Sequence, residues 1–191
     1  MNEAGVGASG DLRSPFAAED LAGLRAGDPV RISGVLLTAR DAAHARFAET
    51  IAAGRPLPVD VSGQTLYYVG PTPARPGQVI GSAGPTTASR MDPYSPMLIE
   101  RGLRAMIGKG RRSPAVRDSM LQYGCVYLGA VEGTAALLAR CVTAARVVAY
   151  EDLGAEAVRR LQVTDFPAVV VNDLHGGDLY EEGPKRWRRS P

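Results

Sequence analysis

The chain has 191 residues, 45% of them hydrophobic, and carries 22 lysines and arginines against 20 aspartates and glutamates, a formal net charge of +2. That length suits one domain with a core of its own, and so mild a charge excludes a surface built for nucleic acid. No apolar run approaches the roughly 20 residues of a membrane span, and no charged-then-apolar leader opens the chain, so the cytoplasm is the expected compartment.

Residues 1–14 are rich in Gly, Ala and Ser and are expected to be a disordered lead. Residues 15–182 read as one domain. Within it a short helix is expected over 16–26, with Leu21 and Leu24 on one face, followed by a strand from Asp28 to Leu37. Ala43, Phe47 and Ile51 recur at helical spacing, which predicts a helix from Arg40 to Ala53 stopped by Gly54. Leu66 to Val69 and Gln78 to Gly81 are expected as short strands on either side of a Pro-rich turn. A helix over 95–101, a strand over 105–107 and a helix over 113–123, with Pro114 at its first position, come next. The last third alternates: strand 126–128, helix 133–140, strand 146–150, helix 157–162, strand 168–171, a turn over 173–177 and a short strand near Leu179 and Tyr180. The tail, 183–191, is basic and expected to be loose, with Trp187 exposed in it. The pattern predicts an α/β domain with a mixed central sheet flanked by helices.

Three basic residues stand at the ends of apolar segments. Gly84-Pro85-Thr86-Thr87-Ala88-Ser89-Arg90-Met91-Asp92 follows the apolar pair Val79-Ile80 and combines a turn, two hydroxyls, a guanidinium and a carboxylate. Gly-Pro ends a strand, the small residues leave backbone N–H groups open, and Arg90 offers a planar fork for a carboxylate. The alternative is a turn whose threonine hydroxyls only cap the next helix. Thr38-Ala39-Arg40-Asp41-Ala42-Ala43-His44 repeats the arrangement after Val35-Leu36-Leu37. Lys109, one of two lysines in the chain, lies between Gly108 and Gly110, which let a ligand approach the backbone. Together Arg40, Arg90 and Lys109 suit a molecule with two carboxylates. The basic run continues through Arg111 and Arg112, which are expected to meet a polar substrate or a partner chain. Asp41 and Asp92 are expected to orient the arginines or cap helices. His44, one turn beyond Arg40, is placed to hydrogen-bond back to it or to reach substrate. Neither histidine pairs with a nucleophile motif, so a hydrolase triad is excluded.

These segments resemble the C-terminal domain, or separately encoded β subunit, of class I fumarases and L-tartrate dehydratases. The matching blocks are Thr38 to His44, Tyr68-Val69-Gly70-Pro71, Gly84 to Asp92, Ala105 to Gly110, Tyr123-Gly124-Cys125 with Gly129-Ala130-Val131, and Phe166 to Asp173. The resemblance implies a swivelling β/β/α-type domain and reversible hydration of a dicarboxylate such as fumarate, with tartrate as the alternative substrate. It implies a [4Fe-4S] cluster one of whose irons acts as a Lewis acid, carried by an α subunit in a heterodimer or α2β2 assembly. It also implies that Arg40 and Arg90 hold substrate carboxylates, that Lys109 contacts substrate, and that Thr86 takes part in proton transfer with an acidic residue of the partner. Thr87 is the adjacent alternative, and Asp41, His44 and Asp92 form a possible outer layer of the site.

Cys125 and Cys141 are the only cysteines. A cluster needs three or four thiolates, so no metal ligand is assigned to this chain, and both cysteines read as small buried hydrophobes. A binding module that kept its anion pocket without catalysis is the competing reading.

Overall fold

The computed structural model describes residues 10–131 and 133–188. Among these described residues seven strands and six α-helices occur in the order β1 (Gly10–Ser14), α1 (Ala18–Ala22), β2 (Pro29–Thr38), α2 (Asp41–Ala52), β3 (Thr65–Tyr67), α3 (Ser95–Ile99), β4 (Ala105–Gly108), α4 (Pro114–Tyr123), β5 (Val126–Gly129), α5 (Ala135–Arg140), β6 (Val142–Ala149), β7 (Val158–Asn172) and α6 (Leu179–Trp187). Strands β2, β3, β4 and β5 run parallel, linked by helical crossovers as parallel pairs require. The long strand β7 runs antiparallel to both β5 and β2 and so closes a five-stranded barrel-like ring. β1 extends the outer side of β2, and β6 extends β7.

Neighbouring residues on the ring strands point to opposite faces, and both faces are buried. Leu36, Tyr67, Ile107, Leu128 and Val170 belong to one apolar cluster. Leu37, Leu66, Met106, Tyr127 and Val171 belong to a second, which packs on Phe47 of α2, Leu98 and Ile99 of α3, and Val116 and Met120 of α4. Burial on two sides explains why these strands read as unbroken apolar runs rather than as alternating ones. No helix among the described residues is long and apolar enough to cross a membrane.

Several local expectations are corrected. The lead expected to be disordered through residue 14 is a strand from Gly10, because it finds the open side of β2; residues 1–9 lie outside the described residues. Residues 78–81 form no strand, with bends at 79–81. The helix expected over 157–162 is the first part of β7, in which Val158, Leu161 and Val163 are buried. The bulge that lets this strand continue past Phe166-Pro167 centres on Asp165, whose φ is 50°. The strand expected at Leu179 and Tyr180 is the start of α6, since Asp178 accepts a hydrogen bond from the Tyr180 N–H at 2.9 Å and so caps a helix. That helix reaches Trp187, so the tail is ordered beyond Gly183; residues 189–191 lie outside the described residues. Trp187 itself is 75% exposed.

Candidate active site

The C-terminal ends of β2, β3, β4 and β5 open on one rim, the place where parallel sheets present loops to ligands. Arg40 follows β2, Gly70 follows β3, Lys109 follows β4, and Gly129 closes β5. The Gly84–Asp92 segment enters this rim as a further rung. The Thr86 N–H donates to the Tyr68 carbonyl at 2.7 Å and the Lys109 N–H to the Thr86 carbonyl at 3.2 Å; the Ala88 N–H then donates to the Lys109 carbonyl at 2.8 Å. Thr87 and Lys109 thereby form a one-residue parallel bridge. The 3-10 turn Ala88–Met91 follows and carries Arg90 toward α2. Thr87 heads that turn without making a side-chain cap, so the capping alternative does not describe its hydroxyl. Gly108 is required here: a Cβ would stand 2.9 Å from the Tyr68 ring and 3.2 Å from the Thr86 carbonyl.

Arg40, Asp41 and Arg90 meet on this rim. Asp41 Oδ2 lies 2.8 Å from Arg90 Nη2 and 3.8 Å from Arg40 Nη2. The Arg40 guanidinium rests over Gly70, where a Cβ would lie 2.5 Å from Nη1. Its Nη2 is also 3.5 Å from Glu156 Oε1, and its Nε is buried without a hydrogen-bond partner. Arg90 is half exposed on its outer side. The two guanidiniums therefore converge on a space that already holds one carboxylate.

Thr87, Lys109, Gly110, Val131 and Tyr180 line an adjoining cleft of about 580 Å³. The Tyr180 hydroxyl accepts the Gly110 N–H at 3.1 Å, so α6 pins the loop that carries Lys109.

His44 lies below the rim, fully buried on α2, with its Nδ1–H donating to the Arg40 carbonyl at 2.8 Å and its ring edge-on to Tyr68. Burial pushes its pKa down to about 4, Arg112 adds to the effect, and the Arg40 carbonyl only partly opposes it. It is a neutral group supporting Arg40 from behind.

Asp92 does not orient Arg90. It accepts the Ser113 N–H at 2.8 Å and pairs with Arg112 Nε at 3.1 Å. Arg112, expected to face substrate or a partner, is buried between the Tyr68 and Tyr127 rings and donates to Ser95 Oγ. Burial opposes its charge, but the Tyr68 phenol and the Asp92 carboxylate more than offset this and hold its pKa above the ordinary value. The pair ties the Arg90 segment to the Lys109 loop. Arg111 packs on Tyr180 instead. Thr38 is also turned away from the rim, since its hydroxyl accepts the Arg159 N–H and donates to the Ala157 carbonyl.

The cysteines do not fit a cluster. Cys125 is buried in the helix-packed layer, where burial pushes its thiol up to about 12. Cys141 packs against the other cluster, near the Leu137 and Asp165 carbonyls. Among the described residues no group of three or more His, Cys, Asp or Glu is placed to hold a metal ion.

Sequence reasoning missed Glu156, whose carboxylate arrives from the loop before β7, and the buried setting of Arg112. No local pattern marks either, because both depend on contacts between distant segments.

The family model described as Fumarase C-terminus matches residues 7–183. The chain belongs to this family. As a fumarase C-terminal domain it is 41% identical over 160 residues to fumarate hydratase 1, mitochondrial, of Leishmania major, covering 81% of this chain and 29% of that protein. It is 40% identical over 153 residues to the anaerobic class I fumarate hydratase of Escherichia coli, covering 79% of this chain and 28% of that one. A putative L(+)-tartrate dehydratase subunit β of Methanocaldococcus jannaschii is 36% identical over 174 residues, covering 88% of this chain and 89% of that subunit. The fumarase C-terminal chain thus spans less than a third of the fumarate hydratases it matches. These relatives are hydro-lyases by name.

Proposed function

We propose that this chain is the β subunit of a cytoplasmic hydro-lyase that adds water reversibly across the double bond of fumarate to give malate. A [4Fe-4S] cluster, a general property of the family, would reside on an α subunit. The observation that carries this reading is the Asp41 carboxylate held between Arg40 and Arg90: the two guanidiniums define a seat for a carboxylate. An incoming dicarboxylate replaces Asp41 on the exposed side of Arg90, where a planar fork fixes both position and register. The ammonium of Lys109, one bridged position from Thr87, is the third cationic contact. Thr86 holds the proton that moves to or from the substrate carbon. A threonine hydroxyl is too weak an acid to do this alone, so it works with an acidic residue of the α subunit. Thr87 lies beside it as a binding group, and Asp41, His44 and Asp92 act behind these groups.

A tartrate or related hydroxy-diacid is the second reading, favoured by the near-complete coverage of the tartrate dehydratase β subunit. An anaerobic hydration assay tests both, on this chain alone and after co-production with a cysteine-bearing α chain. Fumarate turnover only in the pair, lost in air, is expected. Tartrate dehydration without fumarate turnover would shift the substrate. An assembled, cluster-loaded pair inactive on every diacid would leave a binding module and refute the hydro-lyase reading.

A further inference from the structure

Glu156 lies on the 3-10 segment Glu151–Glu156 between β6 and β7, far from α2 in sequence. We infer that Glu156 is a positioning residue for Arg40, an assignment that rests on the hydro-lyase reading for its consequence in turnover. Arg40 stands at the N-cap of α2 and makes no side-chain cap, so the first N–H groups of that helix need an outside acceptor. Glu156 supplies one, because its Oε2 accepts the Ala42 N–H at 2.9 Å. Its other oxygen, Oε1, is 3.5 Å from Arg40 Nη2. One carboxylate therefore grips both the backbone that carries Arg40 and the guanidinium itself.

The grip is held from outside the site. Arg46 donates to Asp152 Oδ1 at 2.8 Å, and the Tyr150 ring packs on Phe47, which fasten the segment along α2 before it reaches Glu156. Gly70 packs against the same side chain, with no room for a Cβ beside Arg40 Nη1. With Gly70 beside Nη1 and Glu156 beside Nη2, the Arg40 guanidinium is held where Nη2 also reaches Asp41 on the rim. Asp41 touches the same guanidinium but is also the partner of Arg90, so a substrate that displaces Asp41 leaves Glu156 as the remaining counter-charge of Arg40.

The test compares Glu156→Gln and Glu156→Ala in the assembled enzyme. Gln keeps an acceptor for the Ala42 N–H but loses the charge on Arg40, whereas Ala loses both. For a partly exposed pair the expected rise in KM for E156Q is about three- to tenfold, with kcat falling less than about twofold and Tm unchanged. E156A is expected to raise KM at least as far and also to lower Tm. The Arg40 Nε–Hε resonance of the 15N-labelled full chain, assigned by its loss in Arg40→Lys, gives a readout free of activity and is expected to shift in E156Q. An unchanged KM in an active E156Q enzyme overturns the assignment, whatever the resonance does. Should the wild-type pair turn over no diacid, the hydro-lyase reading fails, and the resonance alone decides: a shift in E156Q supports the positioning role and an unmoved one overturns it.

Discussion

Lowering the pH toward 5 should destabilise this chain through one residue, His44. It is fully buried, and its pKa is pushed down from 6.5 to about 4, chiefly by burial. Because the folded value lies below the unfolded one, the unfolded chain takes up a proton first. The stabilisation is complete above about pH 6.5 and is lost as pH falls toward 4. At about 1.4 kcal/mol per pH unit, the loss approaches 3 kcal/mol across the window and is about 2 kcal/mol at pH 5. Urea unfolding at pH 7 and pH 5 measures it directly. Carboxylates add their own dependence lower in the range, so the informative quantity is the difference from His44→Leu, which cannot titrate. Leu forgoes the bond to the Arg40 carbonyl, at a cost of about 1 kcal/mol at pH 7, but its unfolding curve should flatten between pH 7 and 5 by about 2 kcal/mol relative to wild type. Parallel pH dependences in the two proteins would refute the reasoning. The consequence for the site is that Arg40 is backed by a neutral ring at working pH rather than by a third positive charge beside Arg112.

Arg90→Lys keeps the charge but loses the fork, so turnover in the assembled enzyme should fall about 100-fold with an unchanged circular dichroism spectrum; wild-type turnover would remove Arg90 from the site. Thr86→Ala should lower kcat by at least about 100-fold with little change in KM, and a pure KM defect in steady-state kinetics would make Thr86 a binding residue. Gly70→Ala places a methyl 2.5 Å from Arg40 Nη1, the movable end of a side chain; KM should rise while Tm holds, and calorimetry showing a large Tm loss would mean the backbone had moved instead. Arg112→Met leaves Asp92 without its buried counter-charge, a loss of about 3 kcal/mol that should lower Tm by roughly 10 °C. A change under about 2 °C would show that the pair carries little.

The residues proposed for the site carry local signals. Arg40 and Lys109 each follow an apolar strand at a small-residue junction, and parallel strands bring such junctions to one rim, which Thr86, Thr87 and Arg90 join on a segment hydrogen-bonded to Tyr68 and Lys109. The order β2, α2, β3 is legible for the same reason, since Ala43, Phe47 and Ile51 repeat at the helical period within a few turns. What failed was long-range. Val158 and Leu161 suit either a helix or a strand, and only pairing with β6, and for Leu161 also with Leu36 of β2, makes them a strand. Gly10–Ser14 carries no strand pattern of its own and is ordered by the free side of β2. Leu179 and Tyr180 look extended until Asp178 caps them.

By itself, then, the order of residues pointed to the basic side chains proposed to bind a dicarboxylate and to the strand ends that carry Arg40 and Lys109, because turn chemistry and hydrophobic period act over a few residues. Only the tertiary structure decided how those side chains are held. Arg112 becomes a buried strut because Tyr68 and Tyr127 close around it, and Glu156 reaches the start of α2 because the segment before β7 folds along that helix. Such contacts join segments that sequence spacing cannot relate, and their energies exist only once water has been excluded between them.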